Sequence, residues 1–232
     1  VDTNTCYQFK VDELDFSTNR YINAHVDYKE KKESKNKYHR CYILPNNKLD
    51  NYSNLVNNGI ISIKDTLLHN VNLEVTDIYG NISTLDFKIK STNNPVLNRC
   101  PLPKDTLSTH FSLGKVNIFK QENIELHMEA FSLYEPLRFH YNTTDSVDGV
   151  FGKVHHVHFN NTPVHKKYVL SIKANVTDNL KKKTYIATTD MKGNFWHIGG
   201  TWKDGFLKTK TREFGDFCII ADTTNPEIKG VN

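Results

Sequence analysis

Through most of the chain, apolar and polar residues alternate with a period of two. "NVNLEV" (70–75) places Val71, Leu73 and Val75 on one face and Asn70, Asn72 and Glu74 on the other. "TLDFKI" (84–89) does the same with Leu85, Phe87 and Ile89. Successive side chains of a strand point to opposite faces, so such runs predict half-buried strands. "YQFKV" (7–11), "YINAHVDY" (21–28), "CYIL" (41–44) and "IISI" (60–63) read the same way, and "NYSNLVNN" (51–58) allows one helical turn at most. Turn chemistry separates the runs at Pro45-Asn46-Asn47, Asn57-Asn58-Gly59 and Tyr79-Gly80-Asn81.

The stretch "STNNPVLNRCPLP" (91–103) holds three prolines and no alternation, so it predicts a connection and not a strand. Strand patterns resume with "IELHM" (124–128), "LRFHY" (137–141), "YVLSIKA" (168–174), "TYIATT" (184–189), "FWHIGG" (195–200), "FLKTK" (206–210) and "FCIIA" (217–221). Hairpin turns fall at Lys192-Gly193-Asn194 and Lys203-Asp204-Gly205. The expected fold is all-β, with two consecutive immunoglobulin-like β-sandwich domains at 1–92 and 104–222 and a linker at 93–103. Residues 223–232 read as a tail or the start of a further domain.

The chain has 232 residues, 38% hydrophobic and 24% charged, enough for packed cores and unlike a disordered chain. No run approaches the ~18 apolar residues of a membrane helix, and no basic-then-apolar leader opens the sequence. The first residue is Val1, which suits a mature form or a piece of a longer protein. The net charge is +4, from 25 Lys and only 5 Arg against 26 acidic residues. Scarcity of the planar, bidentate guanidinium argues against nucleic acid as a partner. The run Lys181-Lys182-Lys183 reads as a solvated loop.

"VHHVHFNNTPVHK" (154–166) concentrates His155, His156, His158 and His165. On a strand, His156 and His158 share a face and could both reach one zinc ion. A catalytic zinc also needs a third ligand and an open position for water, and His165 reaches the pair only if 159–163 fold back. No His-Glu-x-x-His is present. An outward polar strand face explains these residues, and equally His127 and His140, without a metal. Phe195, Trp196 and Trp202 in "FWHIGGTW" could form a sugar-stacking platform or fill the edge of a core. Asp12, Asp15 and Asp27 have no spacing that pairs an acid with a base, and "DSVDG" (145–149) is too short for a calcium loop.

Cys6, Cys41, Cys100 and Cys218 show no two-residue spacing of a zinc knuckle or redox pair. Cys6 and Cys41 lie in one expected domain and could meet across strands. Cys6, however, shares its face with Gln8 and Lys10, whereas Cys41 shares one with Ile43, a mismatch that counts against a bridge. Five Asn-x-Ser/Thr triplets start at Asn51, Asn81, Asn142, Asn160 and Asn175, a weak signal in a chain so rich in these residues.

Taken together, "LDFSTNRYINAHVDY", "RCYILPNNKLDNYSNLVNNGIISI", "VTDIYGNISTLDFKI", "ENIELHMEAFSLYEPLRFHY", "HVHFNNTPVHKKYVLSIKA" and "IGGTWKDGFLKTKTREFGDFCIIADTTNPEI" resemble the region after the catalytic domain of secreted lysostaphin-type (LytM-like) zinc endopeptidases of Gram-negative bacteria. The resemblance covers nearly the whole chain. It implies tandem β-sandwich modules, an extracytoplasmic (secreted, periplasmic or outer-surface) location, and a parent that cuts peptidoglycan peptides. In that family a His-x-x-x-Asp motif and a His-x-His motif hold the zinc in the upstream domain. His156-Val157-His158 matches the second by letters only, so no catalytic residue is carried over, and zinc is expected only in the absent peptidase domain. The implied partners are that peptidase domain and peptidoglycan or an envelope protein.

Three readings stand open. The first is a non-catalytic accessory region acting as spacer or substrate-positioning module. The second is a glycan-, peptide- or protein-binding module using the aromatic residues, and the third is a zinc enzyme using His156 and His158.

Overall fold

The computed structural model describes residues 1–92, 109–145, 148–190 and 192–227. The chain is all-β and divides into two compact units, Val1–Asp27 with Tyr38–Asp105, and Tyr28–Lys37 with Thr106–Asn232. The linker expected at 93–103 and the end of the expected tail, 228–232, fall outside the described residues.

The first unit holds β1 (Gln8–Phe9) paired with β2 (Tyr52–Ser53), and β3 (Leu68–Thr76) paired with β4 (Ile82–Lys90). Both pairs are antiparallel and two-stranded. The β3–β4 hairpin follows the alternation closely, with Val71 opposite Phe87 and Leu73 opposite Leu85. Of that apolar face only Val71 is buried, whereas Leu73, Leu85 and Phe87 remain exposed.

Other expected strands of this unit form differently. "YINAHVDY" becomes a turn of 3-10 helix at Asn19–Tyr21 running into α1 (Ile22–His25), which ends where Val26 turns extended. Tyr21, Ala24 and His25 are buried at a spacing of three and one that suits a helix, and the extended Val26 that follows is buried as well. Asp15 starts the turn by accepting the Ser17 N–H at 2.6 Å, and its main-chain carbonyl accepts the N–H of Asn19 at 2.9 Å. "CYIL" and "IISI" are loops: the N–H of Ile43 donates to Asn58 O, and Gly59 (φ +83) packs so closely on Cys41 that an added Cβ would lie 2.4 Å from its carbonyl oxygen.

The second unit is the sandwich. Its short helix α2 (Tyr28–Glu33) places Glu33 Oε1 2.7 Å from the amide of Asn161. Strands β5 (Thr109–Phe111), β6 (Asn117–Gln121), β7 (Ile124–Met128), β8 (Leu137–Phe139), β9 (Tyr141–Thr144), β10 (Val150–Val157) and β11 (Tyr168–Ile172) follow. After α3 (Asp178–Lys181) come β12 (Thr184–Thr189), β13 (Phe195–Gly199), β14 (Thr201–Lys203), β15 (Phe206–Thr211) and β16 (Gly215–Ala221). One five-stranded antiparallel sheet has the order β13-β12-β16-β10-β9 and the other β14-β15-β11-β7-β6, while β5 pairs with β8. "LRFHY" therefore supplies two strands, β8 and β9, broken at His140.

Inward residues of both sheets, among them Ile124, Leu126, Met128, Leu170, Ile172, Ile186, Leu207, Phe217 and Ile219, form one core. Burying each such side chain stabilises by ~1.5–3 kcal/mol before chain entropy is set against it. Phe111 and Phe139 stack with centroids 4.4 Å apart and tie the β5–β8 pair to that core. The chain passes from one sheet to the other at Gly199-Gly200, between β13 and β14. Gly199 has φ +101, and a Cβ on Gly200 would lie 3.0 Å from two carbons of Leu207, so the corner needs glycine at both positions.

Two hairpin turns share one construction. Asp77-Ile-Tyr-Gly-Asn81 and Asp190 through Gly193-Asn194 each use an Asp Oδ1 that accepts the N–H groups two and four residues on, at 2.8 to 3.0 Å. In both, the Asp Oδ2 accepts from the Asn side-chain amide.

Candidate functional site

The histidines of 155–165 lie on or just beyond β10, and the pairing decides where each goes. A register irregularity between Phe151 and His155 resets the strand against β16. His155 then sits opposite Phe217 on the inner face and is 1% exposed, with its Nδ1 2.7 Å from the Tyr141 hydroxyl. Burial, with His156 and Lys153 nearby, holds its pKa down at about 4. The expectation of an outward histidine face is thus corrected at His155. Consecutive strand residues must face opposite sides, so one of the two adjacent histidines had to turn inward.

His156 faces outward. Its Nδ1–H donates to Asp216 Oδ1 at 2.6 Å, and its Nε2 lies 3.1 Å from Thr144 Oγ1. Carboxylate, imidazole and hydroxyl thus form a short hydrogen-bonded chain that ties three neighbouring strands together. They lie across the outer face of a sheet, on β16, β10 and β9.

His158 does not share the face of His156. It follows the last residue of β10 with a φ of +53, and its ring packs on Phe139 and His140. The main-chain N–H of His140 donates to its Nδ1 at 3.4 Å, and its Nε2–H reaches Thr162 Oγ1 at 3.1 Å. Burial lowers its pKa to about 4, with His140 adding to the effect. His165 contacts a different partner, its Nδ1 3.3 Å from the Tyr134 hydroxyl. The structure therefore does not gather His156, His158 and His165 around one point. Among the described residues, no three His, Cys, Asp or Glu side chains are arranged to hold a metal ion.

Two further histidines escaped sequence reasoning. His25, buried on α1, lies 3.0 Å from the Tyr52 hydroxyl through Nδ1 and 2.8 Å from His39 Nδ1 through Nε2, while Phe9 stacks on its ring at 3.8 Å. Burial, then His39 and Arg40, lowers its pKa to about 4. The helical spacing of Tyr21, Ala24 and His25 was the available signal. His69 on β3 is held between two carboxylates, Asp2 Oδ2 and Asp65 Oδ1, each at 2.9 Å, and both raise its pKa. Nothing in the local pattern around His69 announces a partner 67 residues away.

The aromatic residues do not form one platform. Phe195 and Trp196 are neighbours on β13 and face opposite sides of the sheet, with Trp196 52% exposed at its edge. Trp202 belongs to β14 in the other sheet and packs partly against the core. Its indole N–H is shared by Thr184 Oγ1 at 2.9 Å and the carbonyl of Lys181 at 3.2 Å. Trp202 also borders an open depression of about 410 Å3, together with Lys173, Val176 and Lys181. Cys6 and Cys41 are free thiols, the first half-buried and the second exposed, so no bridge joins them. The buried Cys218 thiol has its pKa raised to about 11 by burial, which leaves it protonated and unreactive.

Residues 108–222 match the family model of the Zu5-like domain. The matched segment spans the sandwich from β5 to β16. No curated protein and no solved structure matches the chain. The likeness to LytM-like peptidases rests on the quoted stretches alone.

Proposed function

With a Zu5-like sandwich as its larger unit, we propose that this chain is a non-catalytic accessory region of an extracytoplasmic cell-wall metallopeptidase, serving as spacer or substrate-positioning module. The observation that carries this reading is the engagement of each candidate histidine with a separate structural partner. His155 pairs with Tyr141, His156 with Asp216 and Thr144, His158 with Thr162 and His165 with Tyr134. A ten-strand sandwich with one continuous core also gives the stiffness a spacer needs. The peptidase domain and peptidoglycan are the partners in this reading, and zinc belongs to the peptidase.

Dye release from labelled insoluble peptidoglycan tests it. The isolated chain should release no soluble dye with or without added zinc. Release that a chelator abolishes would refute the proposal.

A further inference from the structure

The depression beside Trp202 lies against the end of β11, α3 and the β14–β15 turn. Trp202 is part of its lining, and the indole is held in place by its own hydrogen bonds. The Trp202 N–H is already satisfied by Thr184 Oγ1 and the Lys181 carbonyl, so the indole offers a ligand its ring and no free donor. A ring locked in this way loses little freedom when something stacks on it. Lys181 Nζ lies over that ring, 5.7 Å from its centre, on a flexible stem that a ligand would have to turn aside, and Lys173 forms another basic wall.

Both signs of charge occur around the depression, with lysines in excess: Asp178 lies on α3 and Asp204 stands next to Gly205 of the lining. Residues 173–183 carry four lysines (173, 181, 182, 183) and one acid, Asp178, a local excess of +3 by that subtraction. Asp178 is bonded to Lys181 at 2.7 Å. Lys173 is exposed and has no ion pair among the described residues. Asn175 and Thr177 on the rim add polar groups able to bond hydroxyls.

From this geometry we infer that the Trp202 depression is a binding site for a carboxylate-bearing saccharide. The C–H face of a pyranose stacks on the indole, and the carboxylate reaches the ammonium groups of Lys173 and Lys181. A volume of about 410 Å3 accommodates roughly one substituted sugar ring. A neutral sugar leaves the Lys173 ammonium unused and Lys181 on Asp178, and an inorganic anion leaves the indole face unused. The site therefore selects a ligand that offers both. It goes beyond the spacer role and does not depend on a peptidase preceding the chain, so the two can fail separately.

The test is a titration of the 15N-labelled full chain, followed through main-chain amide and indole N–H resonances. The three probes are a soluble oligogalacturonate, a neutral cello-oligosaccharide of the same length, and tripolyphosphate. The oligogalacturonate should shift the Trp202 indole and the amides of 174–177, with the Trp196 indole unmoved. The paired substitution Lys173→Gln and Lys181→Gln alters exposed or half-exposed side chains and should leave the spectrum folded while weakening binding about tenfold. Three results would each overturn the inference: no saturable shift at ~10 mM oligogalacturonate, a range in which even a weak site of millimolar Kd fills; equal shifts with the neutral sugar; or equal shifts of the Trp202 indole with tripolyphosphate, which would mean attraction by charge alone.

Discussion

His156 on β10 and Asp216 on β16 stand directly opposite each other, with Nδ1 and Oδ1 2.6 Å apart. Both side chains are about one-third exposed, at 33% and 30%, so water screens much of their attraction. Such a cross-strand pair is worth ~1 kcal/mol or less. His156→Gln and Asp216→Asn should each lower unfolding free energy by no more than about that amount. Urea denaturation of the singles and the double variant checks this, and a coupling energy near zero would show that the pair is geometric only.

Three histidines oppose protonation. His25, His155 and His158 are held near pKa 4 by burial, against an ordinary value of 6.5. The unfolded chain therefore binds more protons than the folded chain between those values. Stability from these groups is complete above pH 6.5 and falls as the pH drops toward 4. Urea midpoints measured from pH 7.5 to 4 should decline across that window. His155→Phe should flatten the decline for the second unit.

His69 titrates in the opposite sense. Asp2 and Asp65 raise its folded pKa, so its contribution is present below the unfolded value and disappears as the pH rises through the folded one. An NMR titration should place His69 above 6.5, and Asp65→Asn should bring it down. His69 is half-buried but both of its carboxylate partners are exposed, so solvent screening keeps the effect on overall stability small.

The corner between the sheets should tolerate no side chain. An alanine Cβ at Gly200 meets Leu207 Cγ and Cδ1 at 3.0 Å, and at Gly199 it faces a φ of +101. Gly200→Ala and Gly199→Ala should each destabilise the sandwich by ~1–3 kcal/mol, read from thermal or urea unfolding. A side chain placed at Gly193, where a Cβ meets nothing within 4 Å, is the control for strain without crowding.

The second unit was the more legible in sequence. "IELHM", "TYIATT" and "FWHIGG" each contain a strand near the expected positions; the faces of the first divide between core and solvent, whereas the second buries both Ile186 and Ala187 and the third exposes Phe195, Trp196 and His197 alike. The first unit was less so. Ile22, Ala24 and Val26 alternate as a strand would, but Ile22 is only half-buried while Tyr21, Ala24 and His25 are buried at helical spacing, and the chain turns extended only at Val26. At the candidate site, the closeness of His156 and His158 in sequence suggested a shared ion. The strand ends at Val157, however, and His158 turns away in a left-handed conformation. Sequence spacing cannot register a strand end, nor the pairing that brings Asp216 to His156 across 60 residues.

Zinc titration of the tag-free chain by calorimetry tests the central claim most directly, since it asks whether these imidazoles are available to a metal. The account predicts no stoichiometric site, because Nε2 of His156 is occupied by Thr144 and Nε2–H of His158 by Thr162. One equivalent of zinc bound tightly, and lost in both His156→Ala and His158→Ala, would contradict it.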